Sequence, residues 1–336
     1  MADLALAVVG PTSLIGEEIL EQLESRRLDV DVRLLGSHRT AGGEVAEGAF
    51  AGRIALLAPS AFDGIDIALF AAGPTVAGEW APEAARAGAL VVDCSSRFRL
   101  DPQVPLVVPE VNADALADVR ERGIVATPSS TAIALSVVLA PLAQAVGLRR
   151  VVVSTYHGVA GAGRRAVHGL SRETVDLLNG RGQRATAFAR RIAFNCLPQV
   201  GALEPGGASA HESAAVEEVR RILDAPGLAM HLTAVRVPVF FGVGLSVAVE
   251  TDDALDPGDA AELLRPAPGI LLHDTPGDPY STPVEAAGSE ATHVGRVRAD
   301  PSVEHGLALW VTIDSVVKGA GLNAVQVAEL LARNHL

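Results

Sequence analysis

The sequence predicts an α/β protein of two domains: a parallel sheet wound by helices, then an α+β domain built on a mixed sheet. Three observations predict it. The unbroken apolar run Leu4-Ala5-Leu6-Ala7-Val8-Val9 leads through a glycine-flanked turn into a helical period over residues 17–25. A strand apolar on both sides belongs at the centre of a sheet covered on both faces. Short apolar runs then alternate with Ala-rich helical stretches up to residue 126, the pattern of βαβ units. Beyond residue 146 the runs lengthen, as in a mixed sheet with one face packed on helices.

In chain order, strands are expected at 30–35, 65–71, 89–93 and 124–126, where the chain turns through Thr127-Pro128-Ser129-Ser130. A long apolar helix follows over 133–146, and then strands at 150–156, 230–239, 245–251 and 305–315. The Gly/Pro-rich stretch 203–210 reads as a loop, and a final helix is expected over 323–336. No internal repeat or low-complexity segment is visible.

The 336 residues are 49% hydrophobic and suffice for two domains. A net charge of −13 argues against nucleic acid or an anionic membrane as main partner, since both need a basic footprint. No apolar run approaches the ~20 residues that span a bilayer, and Met1-Ala2-Asp3-Leu4 lacks the basic start of a signal peptide. Two cysteines, Cys94 and Cys196, make neither a disulfide framework nor a metal pattern, so no metal is expected. A cytoplasmic protein with buried structural thiols is the expectation.

The first turn reads Gly10-x-x-Ser13-x-x-Gly16. In a Rossmann-type dinucleotide fingerprint the first glycine permits the tight turn, the second admits pyrophosphate and the third lets helix and strand approach. Gly10, Thr12, Ser13, Leu14 and Ile15 are therefore candidate cofactor-binding residues; the alternative is an ordinary strand-to-helix turn. After the second strand, where a free ribose hydroxyl is usually met by an acid, the chain offers Ser37-His38-Arg39-Thr40. Hydroxyls and a guanidinium suit a 2′-phosphate, making Ser37, Arg39 and Thr40 candidates for holding NADP rather than a solvated loop. Ser130 stands at a helix start, where backbone N–H groups stabilise negative charge and where an enzyme would hold a nucleophile.

These segments together resemble the aspartate-semialdehyde dehydrogenase family. The family's Asn-Pro-Asn-Cys-Ser-Thr turn aligns with Thr127-Pro128-Ser129-Ser130-Thr131-Ala132, so its catalytic cysteine falls on Ser130. Ser37, Arg39, Ala41 and Gly42 match its NADP motif, and Gly73-Pro74-Thr75 its turn near the nicotinamide ribose. Asp93-Cys94-Ser95-Ser96-Arg97-Phe98-Arg99 resembles the block that supplies a phosphate-binding arginine, here Arg99. Val235-Arg236-Val237-Pro238 resembles the block whose arginine pairs with the substrate carboxylate, here Arg236. Lys318-Gly319-Ala320-Gly321-Leu322-Asn323-Ala324-Val325-Gln326 is similar to the closing segment that helps hold the cofactor, which adds Gln326.

The resemblance implies domains of 1–130 plus 323–336 for NADP and 131–322 for substrate and dimerisation. It also exposes departures. Val243 aligns with the family's acid/base histidine, and Ala214 with a phosphate-binding lysine, while Glu218 is kept. His157 replaces a glutamine that touches the reacting centre. The chain is thereby identified with a USG-1-like branch lacking the catalytic Cys and His. The family reaction is NADP-dependent reductive dephosphorylation of aspartyl phosphate to aspartate semialdehyde, expected here to be impaired.

A thiol near pKa ~8.5 is readily tuned to a thiolate, whereas a hydroxyl needs an adjacent base. A Ser130–His157 pair of altered chemistry is one alternative; a non-catalytic dimeric structural or regulatory partner is another. The expected partners are a small carboxylate or phosphate ligand and a second copy of the chain.

Overall fold

The computed structural model describes residues 4–46, 48–181, 185 and 187–335. The chain divides into two compact units, Met1–Ser129 with Ala320–Leu336, and Ser130–Gly319.

The first unit contains β1 (Leu4–Val9), α1 (Leu14–Ser25), β2 (Val30–Gly36), β3 (Glu44–Val45), β4 (Gly52–Arg53), β5 (Ala55–Leu56), β6 (Ile67–Phe70), α2 (Pro74–Arg86), β7 (Leu90–Asp93), α3 (Pro109–Asn112) and β8 (Ile124–Ala126). Its six-stranded sheet runs β5-β2-β1-β6-β7-β8, parallel throughout. The order reverses direction at β1, and the crevice beyond the strand ends at such a switch point is where open α/β sheets bind ligands. Leu6 and Val8 of β1 pack with Ile67, Leu69 and Val92, and α1 contributes Ile19 and Leu23 to the same core. Each such side chain contributes roughly 1.5–3 kcal/mol by leaving water.

The second unit contains α4 (Ser130–Val146), β9 (Leu148–His157), α5 (Arg164–Leu178), α6 (Ala210–Ile222), β10 (Ala229–Arg236), β11 (Val243–Thr251), α7 (Pro257–Leu264), β12 (Ile270–His273), β13 (Thr292–Ala299) and β14 (Gly306–Ile313). The chain then returns to the first unit with α8 (Leu322–His335). There α8 adds Val325 and Leu331 to the core, and Arg26 beyond α1 grips Glu329 with two bonds of 2.8 and 2.9 Å.

The second sheet runs β10-β9-β11-β14-β13-β12, parallel at both edges and antiparallel at the centre. Side chains alternate along β9, so Val151, Val153, Thr155 and His157 are buried while Val152, Ser154 and Tyr156 are only half-buried. α4 is buried through most of its length, which is why its sequence is apolar all round and shows no amphipathic stripe. A capping box starts α6: Ser209 N–H donates to Glu212 at 2.6 Å, and Glu212 N–H returns to Ser209 Oγ at 3.4 Å.

Two details correct the sequence reading. Cys94 is buried as expected, but Cys196 is exposed. The loop expected over 203–210 ends at 209, pinned by a Leu203–Ser209 bridge, because Ser209 caps α6 and Ala210 is already helical.

Candidate functional site

The turn between β1 and α1 shows why its glycines are needed. Gly10 has φ of +85°, and a Cβ there would lie 3.2 Å from Ala72 N. At Gly16 a Cβ would fall 2.2 Å from Gly10 O, a collision with backbone. Ser13 holds the middle position without blocking the turn, because its hydroxyl points into the fold. It accepts from Gly16 N–H at 2.9 Å and donates to Ala71 O at 2.9 Å. Leu14 and Ile15 open the helix, so their N–H groups have no intrahelical acceptor, and Thr12 is exposed beside them. Such a helix start suits a phosphate.

Gly36 ends β2, where a Cβ would sit 2.3 Å from Thr40 Oγ1. The following turn is closed by Thr40 N–H and Ala41 N–H donating to Ser37 O at 2.9 and 2.8 Å. Arg39 is exposed on this turn, and among the described residues no carboxylate pairs with it. Gly73 caps α2 and Pro74 is its first residue, a place where the missing N–H has no intrahelical acceptor to lose. Gln326 on α8 donates to Glu110 of α3 at 3.1 Å. Cradle glycines, a free helix start and an unpaired guanidinium fit a phosphorylated dinucleotide.

Arg99 braces two strand ends, with Nε on Thr127 O and Nη2 on Cys94 O, both at 2.9 Å. The adjacent Asp93 is fully buried; burial raises its pKa, opposed by Ser95, whose Oγ donates at 2.7 Å. Burial and that same Asp93 push the Cys94 thiol up to about 12, so it is no substitute nucleophile.

In the second unit three candidate positions share one row of the sheet. Arg236 of β10 is in register with His157 of β9, which is in register with Val243 of β11. Arg236 is only 6% exposed, and one Nη1 bond reaches Gly158 O at 2.8 Å. Among the described residues its Nε has no hydrogen-bond partner, its guanidinium lies 5.3 Å over the Phe188 ring, and desolvation lowers its pKa to about 10. A buried guanidinium paired with no carboxylate among the described residues is costly unless an anion joins it.

The Ser130–His157 hydrogen bond that the alternative chemistry needs is absent among the described residues. His157 Nε2 instead bonds Thr155 Oγ1 at 2.8 Å. The ring is 5% exposed, and burial, then His211, then Arg236 hold its pKa well below the ordinary histidine value. It is a neutral, weakly basic imidazole at pH 7. Glu218 is buried, whereas its neighbour Glu217 is exposed and paired with Arg220 at 2.6 Å.

His211 was not singled out from sequence. Its ring meets His157 edge-on with centroids 4.8 Å apart, and its Nε2 bonds Thr131 Oγ1 at 3.0 Å in the first turn of α4. Only the packing of α6 on α4 brings it there, and no motif announces it.

Residues 5–119 match the family model described as semialdehyde dehydrogenase, NAD binding domain, and residues 139–318 match semialdehyde dehydrogenase, dimerisation domain. The chain is 40% identical over 337 residues to aspartate-semialdehyde dehydrogenase of Aquifex aeolicus (strain VF5), covering 98% of each. It belongs to the aspartate-semialdehyde dehydrogenase family.

Another family relative, aspartate-semialdehyde dehydrogenase 2 of Vibrio cholerae, is 40% identical with 98% of each chain covered. The crystal structure of aspartate semialdehyde dehydrogenase II complexed with ASA, from Vibrio cholerae, superposes with a TM-score of 0.95 at 39% identity, covering 100% of both chains. The fold is therefore the family's: a parallel-sheet NAD(P)-binding domain and a mixed-sheet dimerisation domain. Among the described residues, no helix is long and apolar enough to cross a membrane.

Proposed function

We propose that this chain is a dinucleotide- and carboxylate-binding member of the family whose dehydrogenase chemistry is impaired, as in the USG-1-like branch. The carrying observation is the row Val243–His157–Arg236 beside the helix that starts at Ser130. Binding groups remain in it; the groups for thiol chemistry do not. Ser130 stands where the resemblance puts cysteine, and Val243 cannot carry a proton. Loss of general acid/base assistance alone costs about 10²- to 10⁴-fold in rate.

The bound dinucleotide would supply a hydride-accepting or hydride-donating ring. The chain's own part is to position: the turn at Gly10, Thr12, Ser13, Leu14 and Ile15 for pyrophosphate, and Gly73 and Gln326 nearby. Ser37, Arg39 and Thr40 favour a 2′-phosphate, hence NADP over NAD. Arg236 would pair with a ligand carboxylate, with Arg99 and Glu218 as further substrate contacts. Burying a carboxylate on Arg236 satisfies both charges at once.

The alternative chemistry, Ser130 activated by His157, has less support. A general base must reach the proton it removes, and His157 is committed to Thr155. The half-buried face of the second sheet, carrying Tyr156 and Trp310 with ring centroids 6.0 Å apart, is the surface proposed for a homodimer in the cytoplasm.

The deciding assay measures NADPH formation with aspartate semialdehyde and phosphate, alongside NADPH binding by fluorescence. Tight binding with little turnover supports the reading. Turnover at dehydrogenase rates by the unmodified chain overturns it.

A further inference from the structure

A second polar assembly lies at the β12 edge of the second sheet, where the parallel pairing of β12 and β13 places His273 and His293 on one face as diagonal neighbours. Four side chains form one line of hydrogen bonds. His273 Nδ1 bonds Asp278 Oδ2 at 2.8 Å, His273 Nε2 bonds His293 Nδ1 at 2.9 Å, and His293 Nε2 bonds Ser289 Oγ at 2.8 Å. The two rings stack with centroids 5.2 Å apart and planes 21° from parallel. His293 is 7% exposed, whereas Asp278 is exposed.

The chemistry of the ends fixes the middle. An ionised carboxylate only accepts, so His273 carries its proton on Nδ1 and presents a lone pair on Nε2. His293 must then donate from Nδ1, leaving its own Nε2 to accept the hydroxyl proton of Ser289. One added proton can enter only at His293 Nε2. If the Nδ1 proton stays, His293 carries the charge; if it passes to His273 Nε2, the charge rests beside Asp278. In both cases His293 Nε2 turns from acceptor to donor, and the Ser289 bond reverses. A second proton would set two N–H groups against each other across 2.9 Å.

We propose that Asp278, His273, His293 and Ser289 form a one-proton switch that sets how the segment 274–291 is fastened to the second sheet. That segment carries Asp278 at one end and Ser289 at the other. It is also held by Gly288 N–H donating to Asp314 Oδ2 at 2.8 Å and by Trp310 Nε1–H donating to Ser281 O at 2.8 Å. In the uncharged state Ser289 Oγ accepts from Ala291 N–H at 3.2 Å and gives its own proton to His293. In the charged state it accepts from both, and its proton turns away from the pair.

The ionisable groups acting on the pair come from three elements: His273 on β12, His293 on β13, and Asp278 and Glu285 on the segment itself. Burial and His273 hold the His293 pKa below the ordinary value, while Asp278 and Glu285 oppose them. The switch sits behind the candidate site. Asp314 O holds Gly319 N–H at 2.8 Å, and Gly319 packs directly on Ser130.

The test is nitrogen-15 NMR of histidine-labelled full-length protein between pH 5 and 8, with hydrogen exchange at Gly288 and Ala291. Expected at pH 8 are two rings protonated on Nδ1, the tautomer that a free histidine side chain disfavours. On acidification the pair takes up one proton, the His293 Nε2 signal moves to its protonated range, and Ala291 exchange changes in step. Asp278→Asn removes the acceptor-only end and should release the tautomers; Ser289→Ala should keep them and abolish the coupled change at Ala291. A proton on Nε2 of either ring at pH 8 overturns the proposal. So do independent uptake of two protons and an unaltered titration in Asp278→Asn. Both substitutions are conservative and lie outside the sheet strands, and amide spectra report whether the variants fold.

Discussion

The heads of α1 and α4 are alike in plan, each a turn from a buried parallel strand into a helix, but under the proposed function they would hold their ligands by different means. At α1 the proposed binding groups are backbone N–H groups, and what the sequence must supply is room: Gly16 has no space for a Cβ. A serine at the middle position is absorbed as a helix cap and leaves the N–H groups in place. At α4 the family resemblance puts the chemistry on side chains, and under the proposed reading single exchanges at 130, 157 and 243 would replace the reacting groups without disturbing the fold. A site built from backbone tolerates side-chain drift that a site built from side chains does not.

The largest effect should come from restoring side chains at the second turn. Ser130→Cys with Val243→His should raise NADPH formation from aspartate semialdehyde and phosphate by at least ~10²-fold, the lower range of acid/base assistance. His157→Gln in the same background removes the competing ring beside the introduced histidine. No gain in the triple variant, with the fold retained, would mean that more than the reacting pair has been lost.

The converse experiment breaks the backbone site. Gly16→Ala places a Cβ against Gly10 O, so the turn must open, at about 3 kcal/mol in stability. NADPH binding should fall together with the denaturation midpoint. Retained affinity would show that the first turn does not hold the pyrophosphate.

A smaller effect separates the units by pH. The pKa of His157 is lowered in the folded protein, so above about pH 6.5 the ring is neutral in both states and contributes no pH dependence. As pH falls below that value the unfolded chain takes up the proton first, and stability drops by about 1.4 kcal/mol per pH unit for each such group. His293 adds in the same direction. His157→Gln should flatten the decline in urea midpoint between pH 7 and 5. An unchanged slope would mean that His157 is not held neutral in the folded state.

What could be read from the sequence follows the same division. The parallel sheet and the long helix that follows the turn at Ser130 were legible because period and glycine spacing are local signals. The row Val243–His157–Arg236 needed the register of three strands, which the family resemblance supplied indirectly. His211 and the His273–His293 pair were not legible at all, since packing and strand pairing join positions with no common motif. The Ser130–His157 bond was a plausible pairing of residue types, but alternation on β9 put Thr155 on the same face, two residues away and nearer. Arg99 illustrates a related limit. Its motif marked an arginine at the site, and the structure adds that its guanidinium braces two carbonyls.

The smallest effect tests how the first turn absorbed its substitution. Ser13→Gly restores the middle glycine and should cost only a few tenths of a kcal/mol, because glycine is an acceptable cap. Ser13→Ala should cost about 1 kcal/mol, since Gly16 N–H loses its acceptor and Ala71 O its donor. NADPH affinity should stay within twofold of the unmodified chain in both, because Leu14 and Ile15 still open the helix. An affinity loss in Ser13→Ala larger than its stability loss would place the hydroxyl on the phosphates rather than in the cap. The serine would then be a ligand-binding side chain, and the contrast between the two turns would narrow to Gly16 alone.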